Sequence, residues 1–200
     1  MGKALDLAKA LVSALEKEEN KNKVMLSEIP AGEKFTTDIG KFIVLEQCGD
    51  CTKVITEELY RKNVRFDDDT RNYAESKLRK LCDGEIYEEF AGVFGADNII
   101  PLPVKLTSVD AQNEFEPVDC KVRPITFDEA REYNDFLVNK ELPDWYWTCT
   151  PWSTEERGWK YSIAVAAPSG LIRDCSRCNS NGGVRPFCIL KSNIFVSKED

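Results

Sequence analysis

Two hundred residues, 42% apolar and 31% charged, suffice for one medium domain with a short appendage. With 35 acids, 27 bases and no histidine, the chain has no Ser-His-Asp or Cys-His nucleophile pair and no 2-His-1-carboxylate iron site. Its net charge of −8 disfavours nucleic acid as a partner, because phosphate contacts need clustered Lys and Arg.

The first predicted element is an amphipathic helix over residues 4–19. Ala4, Ala8, Leu11 and Leu15 form its seam, with Leu5 and Val12 alongside. Asp6 and Lys9 fall inside this apolar stretch, so it does not read as a secretory signal. No run anywhere approaches the length of a membrane span, so no membrane partner is expected. About four helical turns are marginal alone in water. The helix therefore docks on its own domain, self-associates into a homo-oligomer or tethers the chain to a larger assembly. The domain boundaries read as residues 1–23 for helix and linker and 24–200 for the main domain.

Residues 26–33 form an entry segment with a Pro-Ala-Gly turn. Residues 42–46 and 52–56 read as a hairpin closed by Cys48-Gly49-Asp50-Cys51. A short strand at 64–66 precedes Asp67-Asp68-Asp69, expected to be a solvated turn ahead of a helix. One helix is expected over 71–81, a break at Asp83-Gly84, and a second helix over 85–94 capped by Gly95. Residues 99–103 are extended around two prolines. Thr126-Phe127-Asp128-Glu129 is a capping box that opens a helix running to about residue 140. In 159–165, Trp159, Tyr161, Ile163 and Val165 alternate with smaller or polar residues, which predicts a strand. Strands, then helices, then strands make an α+β domain, with Trp145, Trp147, Ile163, Val165, Val184 and Leu190 in its core.

The last third carries the most distinctive pattern. All four tryptophans lie within fifteen residues, and residues 145–200 hold only 5 acids against 7 bases. Tryptophan has a large apolar body and a polar tip, so such a cluster builds either a core or a recognition surface. Trp152, Arg157, Trp159, Arg173, Arg177, Asn179 and Asn181 are the candidate ligand-binding residues, being aromatic, arginine and small polar groups on predicted loops. Turn-forming Asn, Ser and Gly account equally for that loop as an ordinary hairpin connection. Arg185 sits among apolar residues and reads as a structural clamp on carbonyls or a carboxylate. Cys48 with Cys51 and Cys175 with Cys178 are two C-x-x-C pairs on predicted turns, the geometry of a zinc knuckle. The preferred expectation is free thiols and no cofactor, with structural zinc and a disulfide as the alternatives: 123 intervening residues are far more than in a compact zinc ribbon, and eight cysteines in 200 residues fall below the density of a disulfide scaffold.

Several segments together resemble one family. They are Tyr73-x-x-Ser76-x-Leu78-Arg79, Pro124-Ile125-Thr126-x-x-Glu129-Ala130, the run Trp145-Tyr146-Trp147-Thr148-Cys149-Thr150-Pro151-Trp152, and Gly183-Val184-Arg185-Pro186. The family is an uncharacterised bacterial and phage domain family with a C-terminal W-x-R-S-P and G-V-R-P signature. The resemblance covers residues 26 to 196. Here Thr148-Cys149-Thr150-Pro151 stands where the family has an R-S-P variant. The family is similar in fold to C-type-lectin-like domains, including formylglycine-generating enzyme and phage tropism determinants. The resemblance implies a non-catalytic, phage- or prophage-associated module that binds a protein or a glycan. With no secretory signal read, synthesis in the cytoplasm is expected, and the resemblance adds the virion as a further destination. A phage-encoded inhibitor of a host factor is the alternative. An oxidase of the formylglycine-generating type is the remote one, since Cys149 and Cys188 do not match its cysteine pair.

Overall fold

Phe42, Ile43, Val44 and Leu45 are consecutive apolar residues, and a strand sends them alternately to opposite faces. Both faces of that strand must then be covered, and the architecture follows from this. The structure, a computed structural model, describes residues 23–176 and 180–198. The helix expected over 4–19 lies outside the described residues, as do Arg177, Cys178 and Asn179.

The described chain is α+β and dominated by sheet. The first sheet runs in the order β1 (Lys23–Met25), β15 (Phe195–Lys198), β2 (Lys34–Thr37), β3 (Gly40–Gln47), β4 (Cys51–Thr56), β14 (Phe187–Lys191) and β6 (Ile99–Ile100). A short strand β9 (Val122–Arg123) also pairs with β14. The second sheet runs β12 (Ile172–Ser176), β11 (Ser162–Ala166), β10 (Tyr146–Pro151), β13 (Asn181–Val184) and β5 (Arg61–Arg65). A separate hairpin joins β7 (Leu102–Val104) to β8 (Val118–Cys120). Phe42 and Val44 enter one core, shared with Trp147, Ile163 and Val165 of the second sheet. Ile43 and Leu45 enter another, covered by Ala130, Tyr133 and Leu137.

The two sheets are joined by a bent ribbon. Strand β4 continues through residues 57–60 into β5, and β13 continues through Arg185-Pro186 into β14. Since β4 pairs with β14 and β5 with β13, the two chains bend side by side. Thr56 N–H donates to the Pro186 carbonyl at 3.1 Å and Tyr60 N–H to the Val184 carbonyl at 2.9 Å. Arg185 is fully buried at this bend. Its Nε donates to the Thr56 carbonyl at 2.7 Å, and Nη1 to the Leu137 carbonyl at 2.9 Å and the Tyr146 hydroxyl at 3.4 Å. The clamp expected of Arg185 is thus made on carbonyls. The preceding glycines permit close packing: a Cβ on Gly182 would stand 2.2 Å from the Trp145 ring, and one on Gly183 2.6 Å from Leu59.

Several expectations need correction. Residues 77–94 form one helical run without a break: α1 (Lys77–Leu81), a π-helical turn (Cys82–Ile86) and α2 (Tyr87–Phe94). Leu78, Cys82, Ile86, Phe90 and Phe94 are all buried, at a spacing of four. In a pure α-helix that spacing drifts about 40° per step. The wider π turn takes up the drift and keeps the stripe facing the core. Upstream, residues 73–75 are only a 3-10 turn. Asp67 is buried, not solvated: its carboxylate accepts the N–H groups of Asp69, Thr70 and Lys77 at 2.7–2.9 Å. The capping box at Thr126 and Glu129 forms as read, but its helix ends early. It divides into α3 (Phe127–Glu132) and α4 (Asn134–Leu137) at Tyr133, whose φ of −100° and ψ of 18° are off-helical. Strand β11 begins only at Ser162, so Trp159 and Tyr161 belong to the preceding turn. Trp147, Ile163, Val165, Val184 and Leu190 are buried as expected, whereas Trp145 is half-buried.

Replacing Arg185 by Met keeps the volume but leaves the Thr56 and Leu137 carbonyls without this donor. A buried unsatisfied acceptor costs roughly 1–3 kcal/mol, partly offset by relief of the desolvated cation. The expected loss for Arg185→Met is about 2–4 kcal/mol of unfolding free energy, read from urea denaturation midpoints. A loss below about 0.5 kcal/mol, the size of an ordinary surface substitution, would show that the clamp is dispensable.

Candidate recognition surface

The loop at residues 152–161 follows β10, and the irregularity of β10 sets it up. Register with β11 shifts between Trp147 and Pro151, so Thr148-Cys149-Thr150 forms a bulge. Hydroxyls replace lost ladder bonds there. Thr148 Oγ1 donates to the Ala164 carbonyl at 2.7 Å, and Thr150 Oγ1 accepts the Phe127 N–H at 2.9 Å. Bulges re-aim the chain that follows them. Here Trp152 N–H donates to the Ser162 carbonyl at 3.0 Å and closes the base of the loop. Gly158, at φ 86°, supplies a left-handed turn within it.

Two polar anchors hold this loop from below. Arg71 is buried; its Nη1 donates to the Ser153 carbonyl at 2.6 Å and its Nη2 bonds the Glu114 carboxylate. The guanidinium also stacks on Phe115, 4.9 Å from the ring centre. Asp110 accepts from Ser108 at 2.6 Å, Ser153 at 2.7 Å and Arg157 at 2.6 Å. Bonds from Ser108 and Ser153, with Arg157 adding a further contribution, hold the Asp110 carboxyl down at about 2. Above these anchors the Trp152 and Trp159 rings lie 6.2 Å apart, tilted by 57°. Trp159 is 40% and Tyr161 51% exposed.

The expected binding residues therefore divide. Trp152, Arg157 and Trp159 come together on one loop, with Arg157 already engaged by Asp110. Arg173 is exposed on the edge strand β12, opposite Val165. Asn181 sits at the far side of the sheet, opposite Arg65, and its amide donates to Asn63 at 3.0 Å. Arg71, Asp110 and Glu114 were missed. Arg71 lies two residues after an acidic run that reads as solvated, and Asp110 and Glu114 lie in a loop with no periodic pattern.

The cysteines also divide. Cys48 and Cys51 are free thiols at the β3–β4 turn, Cys175 is a free thiol on β12 of the other sheet, and Cys178 lies outside the described residues. Among the described residues no group of three or more Cys, Asp or Glu is placed to hold a metal ion. Burial pushes the Cys120 thiol up to about 11 and the Cys149 thiol to about 12; it pushes Cys82 and Cys188 up further. Among the described residues no helix is long and apolar enough to cross a membrane. Comparison of the chain with family models, curated proteins and solved structures finds no match.

The depressed Asp110 carboxyl has a testable sign. Its ionised form, and with it the Arg157 contact, persists down through the ordinary carboxylate range and is lost only as pH falls through about 2. Carbonyl-carbon NMR titration of Asp110 is expected to give a midpoint near 2. A midpoint near the ordinary aspartate value of about 3.9 would mean that the Ser108, Ser153 and Arg157 contacts do not persist in solution.

Proposed function

We propose that this chain is a non-catalytic recognition module with a C-type-lectin-like domain, associated with a phage or prophage, that binds a protein or glycan partner through the 152–161 loop. One observation carries the reading. Trp159 and Tyr161 stay exposed on a loop that buried Arg71 and the Asp110 cluster hold from beneath. Binding residues commonly sit on loops over rigid scaffolds, and preorganised aromatic side chains lose little entropy on contact. The reading invokes no cofactor. An oxidase reading is disfavoured because Cys149 and Cys188 are both buried, with thiols held protonated. The proposed site is narrower than the sequence suggested: Asn181 drops out because it lies on β13 opposite Arg65 of β5, apart from the 152–161 loop.

A second reading, an intracellular inhibitor of a host factor, draws on a different face. Glu75, Asp83, Glu85 and Glu88 are exposed around the 77–94 helical run. Localisation separates the two, since the first places the chain in virions and the second in host cytoplasm.

Interface energy concentrates in a few aromatic and arginine anchors. With host-envelope proteins and glycans immobilised as probes, Trp159→Ala is expected to weaken capture by about 1–3 kcal/mol with the fold intact by circular dichroism. Unchanged capture by Trp159→Ala, together with loss of capture on charge reversal at Glu85 and Glu88, would overturn the loop reading.

A further inference from the structure

The thiols of this protein are not equivalent. Cys82, Cys120, Cys149 and Cys188 are buried, and Cys175 packs against the core between the sheets. Cys48 and Cys51 are both half-exposed, at the outer end of the β3–β4 hairpin.

Strand register fixes how these two meet. Gln47 pairs with Thr52, so the next step of the ladder sets Cys48 directly opposite Cys51. The Cys48 N–H donates to the Cys51 carbonyl at 2.7 Å, and the Cys51 thiol lies 3.8 Å from the Cys48 carbonyl. Opposed residues in an antiparallel pair project from the same face. In a hydrogen-bonded pair their Cα atoms are about 5.5 Å apart, inside the span that a disulfide bridges without backbone movement. Gly49, at φ 74°, lets the two-residue turn close.

We propose that Cys48 and Cys51 form a reversible intrachain disulfide by exchange with a low-molecular-weight disulfide. A Cys51 thiolate attacks one sulfur of the small disulfide and one small thiol leaves. Cys48, deprotonated, then attacks the mixed disulfide at the Cys51 sulfur, and the second small thiol leaves. Two protein thiols are oxidised to one disulfide, and one small disulfide is reduced to two thiols. The hairpin already holds the pair together, so the second step is intramolecular and outruns accumulation of the mixed disulfide.

The surroundings shape the rate and the consequence. Burial, then the Glu46 carboxylate and Cys51, push the Cys48 thiol up to about 11, so closure quickens as pH rises. Gly49 and Asp50 form one wall of a cavity of about 460 Å³ that Met25, Ile100 and Lys191 also line. The Asp50 carbonyl accepts the Ser192 N–H at 2.9 Å and ties that wall to the turn after β14. Closing the bond would fix the wall of this cavity.

The test uses the full chain in glutathione buffers of rising oxidised-to-reduced ratio, quenched with N-ethylmaleimide and mapped by peptide mass. The expected result is a Cys48–Cys51 intrachain linkage that appears with the oxidised ratio and disappears on reduction, while Cys48→Ser halts with glutathione on Cys51. Three results would overturn the proposal. Both thiols could remain alkylatable across the range, glutathione could stay on the wild-type pair, or the linkage could join chains of different isotope label in a mixed ¹⁴N/¹⁵N sample.

Discussion

The buried guanidinium of Arg185 is the constraint from which the rest of the arrangement follows. It lies where two adjacent chains leave one sheet and enter the other, and it bonds carbonyls of β4 and α4 while meeting the Tyr146 ring and hydroxyl on β10. A charge in that position carries a desolvation cost, and burial lowers the Arg185 pKa accordingly. Carbonyl dipoles and an aromatic face offset that cost, with five donors available to one side chain. An apolar residue could fill the space but could not satisfy the two carbonyls. The Gly182-Gly183 pair belongs to the same solution, since it lets Trp145 and Leu59 close against the backbone just before the bend.

From that seam the structure extends outward in two steps. Tyr146, held over Arg185, begins β10, and the Thr148–Thr150 bulge then turns the strand toward the 105–117 loop. There the architecture uses a second buried arginine. Arg71 binds the Ser153 carbonyl and Glu114, and a third, Arg123, holds Glu129 with two bonds of 2.7 and 2.5 Å at the start of α3. All three arginines lie at places where irregular backbone would otherwise bury unpaired groups. Buried polar networks of this kind fix one arrangement where apolar packing alone would allow several, although Nη2 of Arg185 has no hydrogen-bond partner among the described residues. These bonds hold the aromatic loop from beneath, and the proposed recognition role rests on that support.

The sequence made some of this legible and hid the rest for physical reasons. The strand at 42–46, the hairpin through Cys48 and Cys51, the capping box at Thr126 and the core role of Trp147 follow from local pattern, and each stands in the structure. The clamp at Arg185 was readable because a lone cation amid apolar residues must find acceptors. The π turn at residues 82–86 was not. Gly84 signals a break, and the four-residue apolar spacing that overrides it becomes meaningful only when the whole run packs on one core. Trp159 and Tyr161 alternate like strand residues, but the bond between Trp152 and Ser162 closes a loop first. The anchors Arg71, Asp110 and Glu114 are distant in sequence from the loop they support, and charge counts alone assign them to solvent. Of the proposed surface, its aromatic members were therefore visible, and its foundations were not.

Buried Arg71 holds the aromatic loop in one arrangement. Hydrogen–deuterium exchange on the unmodified chain and on Arg71→Met tests it without a partner. The amides of Trp152, Gly158 and Trp159, which donate to Ser162, Glu155 and Thr154, are predicted to be protected in the unmodified chain. In Arg71→Met they should exchange faster, while β3, β4 and β14 keep their protection. Unprotected loop amides in the unmodified chain, or protection unchanged by the substitution, would show that Arg71 does not hold the loop.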